Sequence, residues 1–168
     1  SERLQQLVTE HMARGNNQYS PMPGIMPLRE RIAEKMERMY GAKVNPDTEI
    51  TVTAGGTQAI FCAIAAFVRP GDEVILLEPC YDSYRPSVET VGGIPVIHAL
   101  RAPDYRVDWA EVKKLITPRT RMLCINTPQN PTGTILTVVD MLAIQEMLRG
   151  TDVLVMSDFR RSNVELHL

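Results

Sequence analysis

The residues best suited to chemistry stand where apolar runs end. Gly55-Gly56-Thr57 follows the short β-branched run Ile50-Thr51-Val52-Thr53 and precedes an apolar stretch that reaches Val68. A Gly-Gly-Thr turn at a helix N-terminus points backbone N–H groups and a hydroxyl at one spot, which suits a phosphate. The same turn also serves as a tight strand-to-helix connection that needs glycine dihedrals, and it is neither a Walker loop nor a dinucleotide fingerprint. In Asn126-Thr127-Pro128-Gln129-Asn130-Pro131-Thr132-Gly133 the prolines and the glycine restrict the backbone, so the amides of Asn126 and Asn130 can be aimed at a ligand. Asn-Pro and Thr-Gly pairs equally suit a plain turn. Asp158 ends the run Val153-Leu154-Val155-Met156-Ser157, where an acid either caps the next helix or pairs with a ligand cation. Tyr81 can stack on a flat ligand or fill core. His11, His98 and His167 have no metal-ligand spacing, and no Ser/His/Asp arrangement is arguable.

The elements that must position these residues alternate between helix and strand. A first helix is expected near Leu4 to Ala13. A second carries Leu28, Ile32, Met36 and Met39 on one stripe, with Pro27 fit for its first turn and Gly41 for its stop. Five strands are expected: Ile50 to Thr53, Val74 to Leu77, Ile94 to Leu100, Met122 to Ile125 and Val153 to Met156. Helices between them run over the apolar stretch to Val68, from about Asp82 to Gly92, from Asp108 to about Ile116, and from about Thr137 to Arg149. Asp108 with Glu111 reads as a capping-box-like start. Apolar strands separated by helices imply an α/β fold, a three-layer α/β/α sandwich with a mostly parallel sheet. In such a sheet, ligands bind beyond the carboxyl ends of the strands, where Gly55-Gly56-Thr57, Tyr81, the Asn126 to Asn130 loop and Asp158 all fall.

Composition narrows the function. The 168 residues suffice for one domain that buries roughly two thirds of its unfolded surface. With 18 basic and 20 acidic residues the formal net charge is −2, which argues against nucleic acid or an anionic membrane as partner. No apolar run has the length of a membrane helix, and Ser1 to Gly15 lacks the apolar core of a signal peptide, so a cytoplasmic location is expected. Cys62, Cys80 and Cys124 are odd in number and widely spaced, as expected of reduced thiols.

Taken together, the motifs resemble those of the class I/II (fold-type I) pyridoxal-phosphate-dependent aminotransferases, with most similarity to the branch that includes methionine and glutamine/kynurenine aminotransferases. The resemblance rests on Asn17-Gln18-Tyr19-Ser20-Pro21, Thr51-Val52-Thr53-Ala54-Gly55-Gly56-Thr57-Gln58-Ala59, Glu78-Pro79-Cys80-Tyr81-Asp82-Ser83-Tyr84 and Asn126 to Gly133, in that order. It implies an amino-group transfer between an amino acid and a 2-oxo acid, with pyridoxal 5'-phosphate as cofactor. It implies that Gly55, Gly56 and Thr57 hold the cofactor phosphate, and that Tyr81 stacks on the pyridine ring. Asn130, with Asn126 beside it, would contact the ring hydroxyl and the substrate carboxylate. Asp158 would pair with the pyridine nitrogen, and Tyr19 would reach the phosphate of a neighbouring subunit in a homodimer.

The resemblance covers the N-terminal half of the family pattern. The family's Schiff-base lysine follows the Asp158 position by more than the ten residues present here. Lys35, Lys43, Lys113 and Lys114 fall on expected helices or turns away from the carboxyl edge, so no catalytic lysine is assigned and the chain is expected to be inactive alone. Three segments are expected: N-terminal helices over 1–48, a partial cofactor-binding α/β domain over 49–158, and a tail over 159–168 foreign to the fold. In the tail, Arg161 takes the place of a family tyrosine. The family's wider sheet would place further strands beside Ile50 to Thr53, and without them the isolated chain is expected to be poorly soluble or partly molten. The alternatives to an enzyme fragment are a non-catalytic pyridoxal-phosphate-binding module and an unrelated phosphate-binding α/β domain.

Overall fold

The computed structural model describes residues 1–159. They divide into two compact units, one from Ser1 to Ala54 and one from Gly55 on.

The first unit contains helices α1 (Glu2–Ala13) and α2 (Met26–Tyr40). Ser1 caps α1 by accepting the Leu4 N–H, and Pro27 occupies the first turn of α2, where its missing N–H costs no helical bond. Gly41 ends α2 in the left-handed region. Arg29, 4% exposed, donates to the carbonyl of Asp47 at 3.2 Å and pairs with the Asp47 carboxylate at 3.4 Å, which ties the loop after α2 back to the helix. The run Ile50 to Thr53 was expected to be a strand and is not one. It carries no regular secondary structure, and the Val52 N–H donates to the carbonyl of Pro23 at 3.0 Å. β-branched residues favour an extended backbone, but only a neighbouring strand converts that into a ladder.

The second unit is an α/β/α sandwich. Its elements are α3 (Gly56–Phe67), β1 (Glu73–Glu78), α4 (Tyr84–Thr90), β2 (Ile94–Ala99), α5 (Trp109–Lys114), β3 (Thr120–Thr127), α6 (Val138–Leu148) and β4 (Leu154–Phe159). Among the described residues the sheet has four strands in the order β2-β1-β3-β4, all parallel. Phe159 was expected to start the foreign tail. It is instead the last residue of β4, opposite Thr127 of β3, and so belongs to the fold. The rest of that expected tail, 160–168, lies outside the described residues.

Each face of the sheet has its own core. On one, Ile60, Ile64 and Val68 of α3 and its end pack with Val74, Leu76, Met122 and Cys124 of the strands and with Tyr84 and Val88 of α4. On the other, Ile75, Leu77, Leu123 and Ile125 pack with Val112 of α5 and with Ile144 and Met147 of α6. The alternation along β1 and β3 thus feeds both layers, and each fully buried aliphatic side chain contributes about 1.5–3 kcal/mol. Trp109 Nε1 donates to Asp140 Oδ1 at 2.9 Å, linking α5 to α6. The reciprocal capping box occurs at Thr137 and Asp140; at Asp108, where one was expected, only the Asp108 side chain accepts, from Ala110 and Glu111. No described helix is long and apolar enough to cross a membrane.

Because β2 lies on one side of β1 and β3 on the other, the connections change direction between β1 and β3. That switch point opens a crevice outside the carboxyl ends of the strands.

Candidate functional site

The crevice is a cleft of about 350 Å³, lined by Gly56, Thr57, Tyr81, Asn126, Asn130 and Asp158 together with Ile60, Pro128 and Phe159. Six of the eight residues singled out in the sequence therefore share one cleft, although they come from four separate stretches of chain. Gly55 is the N-cap of α3, with φ +95°, a conformation that L side chains rarely adopt. Tyr19 lies in the first unit with its side chain fully exposed. None of the cleft residues is a lysine. Among the described residues there is no group of three or more His, Cys, Asp or Glu able to hold a metal.

The polar groups of the cleft are positioned by one another. Asn126 faces Asp158 in the β3–β4 register, and its Nδ2 donates to the Asp158 backbone carbonyl at 2.7 Å. Asn126 Oδ1 accepts the backbone N–H of Asn130, also at 2.7 Å. One side chain thus fixes both the strand that bears the carboxylate and the loop that bears the second amide. Gln129, 9% exposed, donates through Nε2 to the carbonyls of Leu77 and Pro79 at 3.2 and 2.9 Å, locking the loop after β3 onto the end of β1.

Tyr81 lies between the two ends of the cleft. Its hydroxyl is 3.0 Å from Thr57 Oγ1, and its ring meets that of Tyr84 edge to face, with centroids 5.8 Å apart. Tyr84 is 2% exposed and donates its hydroxyl to Asp158 Oδ2 at 2.7 Å. Burial, reinforced by the neighbouring Asp158 carboxylate, holds the Tyr84 phenol far above its ordinary value, so it stays a neutral donor. Asp158 sits within β4 and accepts from Tyr84.

Sequence reasoning missed Tyr84, Gln129 and the bracing role of Asn126. Tyr84 belongs to the Glu78 to Tyr84 motif, three residues beyond Tyr81, but nothing in that spacing reveals an acceptor 74 residues away.

The donor set has a definite chemical polarity. At one end the N-terminus of the twelve-residue helix α3 offers peptide N–H groups and the positive end of its dipole, and at the other stands a carboxylate. Between them lie an aromatic ring and two amides. A flat cationic heterocycle bearing a phosphate fits that arrangement.

Comparison with known proteins identifies the family. The family model for aminotransferase class I and II matches residues 2–160. The chain belongs to the aminotransferase class I and II family. It is similar to the methionine aminotransferase of Escherichia coli (strain K12), 47% identical over 155 residues, which are 92% of this chain and 40% of that protein. It is also similar to aromatic-amino-acid aminotransferase 2 of Thermococcus litoralis, 37% identical over 158 residues, 94% of this chain and 41% of that one. Among solved aminotransferase structures, one from Escherichia coli reported to identify a methionine aminotransferase function superimposes with a TM-score of 0.92 at 46% identity, over 94% of this chain and 42% of that one. N-succinyldiaminopimelate aminotransferase from Mycobacterium tuberculosis gives 0.89 at 39% identity, over 94% and 41%. These relatives share the α/β fold, and the chain spans about 40% of the length of the curated ones.

Proposed function

We propose that this chain carries the cofactor-binding part of a pyridoxal-phosphate-dependent aminotransferase that moves an amino group between an amino acid and a 2-oxo acid. The observation that carries the reading is the meeting, in one cleft, of the α3 N-terminus at Gly56 and Thr57 with the carboxylate of Asp158. The helix end favours a phosphate dianion, and the carboxylate favours a protonated ring nitrogen. Tyr81 would present its ring to the heterocycle, and the Asn130 amide would meet the ring oxygen, with Asn126 holding Asn130 and Asp158 in place. When bound, pyridoxal phosphate supplies an electron sink for the pair left when the substrate Cα–H bond breaks. Asp158 would keep the proton on the ring nitrogen that this role requires.

In this reading the 168 residues bind the cofactor without covalent attachment and do not turn over by themselves, because no lysine lines the cleft. A homodimer in which Tyr19 reaches the partner's phosphate, and a cytoplasmic location, belong to the same reading. Borohydride reduction in the presence of pyridoxal phosphate, followed by intact-mass measurement, tests it. An unmodified mass alongside measurable cofactor binding is expected. Stoichiometric addition of a pyridoxyl group at one lysine would mean that an anchoring lysine is present after all.

A further inference from the structure

The hydroxyl of Tyr84 has no use in packing. The ring fills the core among Ile60, Ile64 and Val88, and a phenylalanine would do the same. What the hydroxyl adds is a 2.7 Å bond to Oδ2 of Asp158, across the sheet from α4 to β4. A buried phenol needs some acceptor, and a backbone carbonyl would suffice. Its acceptor here is a carboxylate that lines the cleft, and only one of the two carboxylate oxygens is taken. Among the described residues, Asp158 Oδ1 accepts no hydrogen bond.

We propose that Tyr84 is a positioning residue, whose phenol fixes the Asp158 carboxylate through Oδ2 and so leaves Oδ1 for the ring nitrogen of pyridoxal phosphate. The inference rests on the cofactor reading above. A neutral donor suits this task better than a cation, since it orients the carboxylate without cancelling the charge that must face the protonated nitrogen. Tyr84 is itself in edge-to-face contact with Tyr81, whose hydroxyl meets Thr57. The two tyrosines therefore connect the phosphate end of the cleft to the carboxylate end.

The test uses the full 168-residue chain in two arms. In the first, without cofactor, the chain is labelled at tyrosine 13Cζ and the Tyr84 signal is assigned by elimination, as the one that persists in each of Tyr19→Phe, Tyr40→Phe, Tyr81→Phe and Tyr105→Phe. Asp158→Asn is expected to move that signal more than those of the other four tyrosines; an unmoved signal overturns the pairing. This arm reads Tyr84 itself, and so decides the pairing even if Tyr84→Phe fails to fold. In the second arm, equilibrium dialysis measures pyridoxal 5'-phosphate affinity. Tyr84→Phe is expected to weaken binding about five- to tenfold, within the range for the net contribution of one hydrogen bond. In the Asp158→Asn background the same change is expected to cost less than twofold. Equal losses in both backgrounds overturn the inference and leave the cofactor reading standing. A chain that binds no pyridoxal phosphate while the Tyr84 signal still responds to Asp158→Asn overturns the cofactor reading, and with it the purpose assigned to the pair.

Discussion

The side chain of Asn126 touches two other polar residues of the cleft at once, donating to the Asp158 carbonyl and accepting the Asn130 N–H, each at 2.7 Å. The two bonds together require a side chain with a donor and an acceptor in one plane. Asn126→Ala is therefore expected to cost about 1–3 kcal/mol, the range for stranding a partly buried partner. Asn126→Asp keeps the acceptor and loses the donor, and is expected to fall between the two. Urea unfolding midpoints of the three chains check this order.

Gly55 governs the other end of the cleft. Its φ of +95° is open to glycine at no steric cost, and a Cβ there would meet no atom within 4 Å. The penalty of Gly55→Ala is thus conformational alone, about 1–3 kcal/mol for an L residue in that region of φ,ψ space. Gly56→Ala also meets open space and has no positive φ, so it is expected to be nearly neutral in stability. Thermal unfolding of both variants separates conformational strain from crowding.

At the start of β1, Glu73 supplies a pH dependence unrelated to the cleft. It is 4% exposed and accepts from Thr117, from Arg119 at 2.6 Å and from Thr120. The Thr117 hydroxyl, followed by the Arg119 guanidinium, outweighs burial and holds its carboxyl below the ordinary value of 4.5. A carboxyl depressed in the folded state contributes stability that is present above the unfolded value and disappears as pH falls through the folded one. The urea midpoint is therefore expected to drop between pH 6 and pH 3, with a shallower drop in Glu73→Gln. Parallel curves for the two chains would remove Glu73 from the account.

The cysteines give an independent check on packing. Cys124 is buried within β3, and burial pushes its thiol up to about 12; burial and the charges of Glu78 and Asp82 push Cys80 up to about 11. Cys62 is exposed on α3. A thiolate reagent at pH 8 is expected to modify Cys62 first, Cys80 slowly and Cys124 only after denaturation, as peptide mapping would read.

Much of this architecture was legible in the sequence because it is locally encoded. The runs at Val74 to Leu77 and Met122 to Ile125 are apolar on both faces, as strands covered twice must be, and both lie within strands. The glycine turn, the Asn-Pro loop and Asp158 stand at strand or helix ends, so parallel topology alone brings them to one edge. Ile50 to Thr53 misled because β propensity reports an extended backbone and says nothing of a partner. Phe159 misled because the motif comparison ended at Asp158, whereas the ladder continues one residue further. The Tyr84 bond and the bracing by Asn126 were hidden for another reason. Each joins residues 74 or 32 positions apart, and no local pattern distinguishes a tyrosine that fills core from one that also aims a carboxylate.

In the proposed reading the cleft holds pyridoxal phosphate with Asp158 against its ring nitrogen. Titration of the 168-residue chain with pyridoxal 5'-phosphate, followed by circular dichroism in the cofactor's own absorption band, tests it most directly. A saturable signal that is weakened at least tenfold by Asp158→Ala is the predicted result. No signal from the folded wild-type chain, or the same affinity in Asp158→Ala, would contradict the claim.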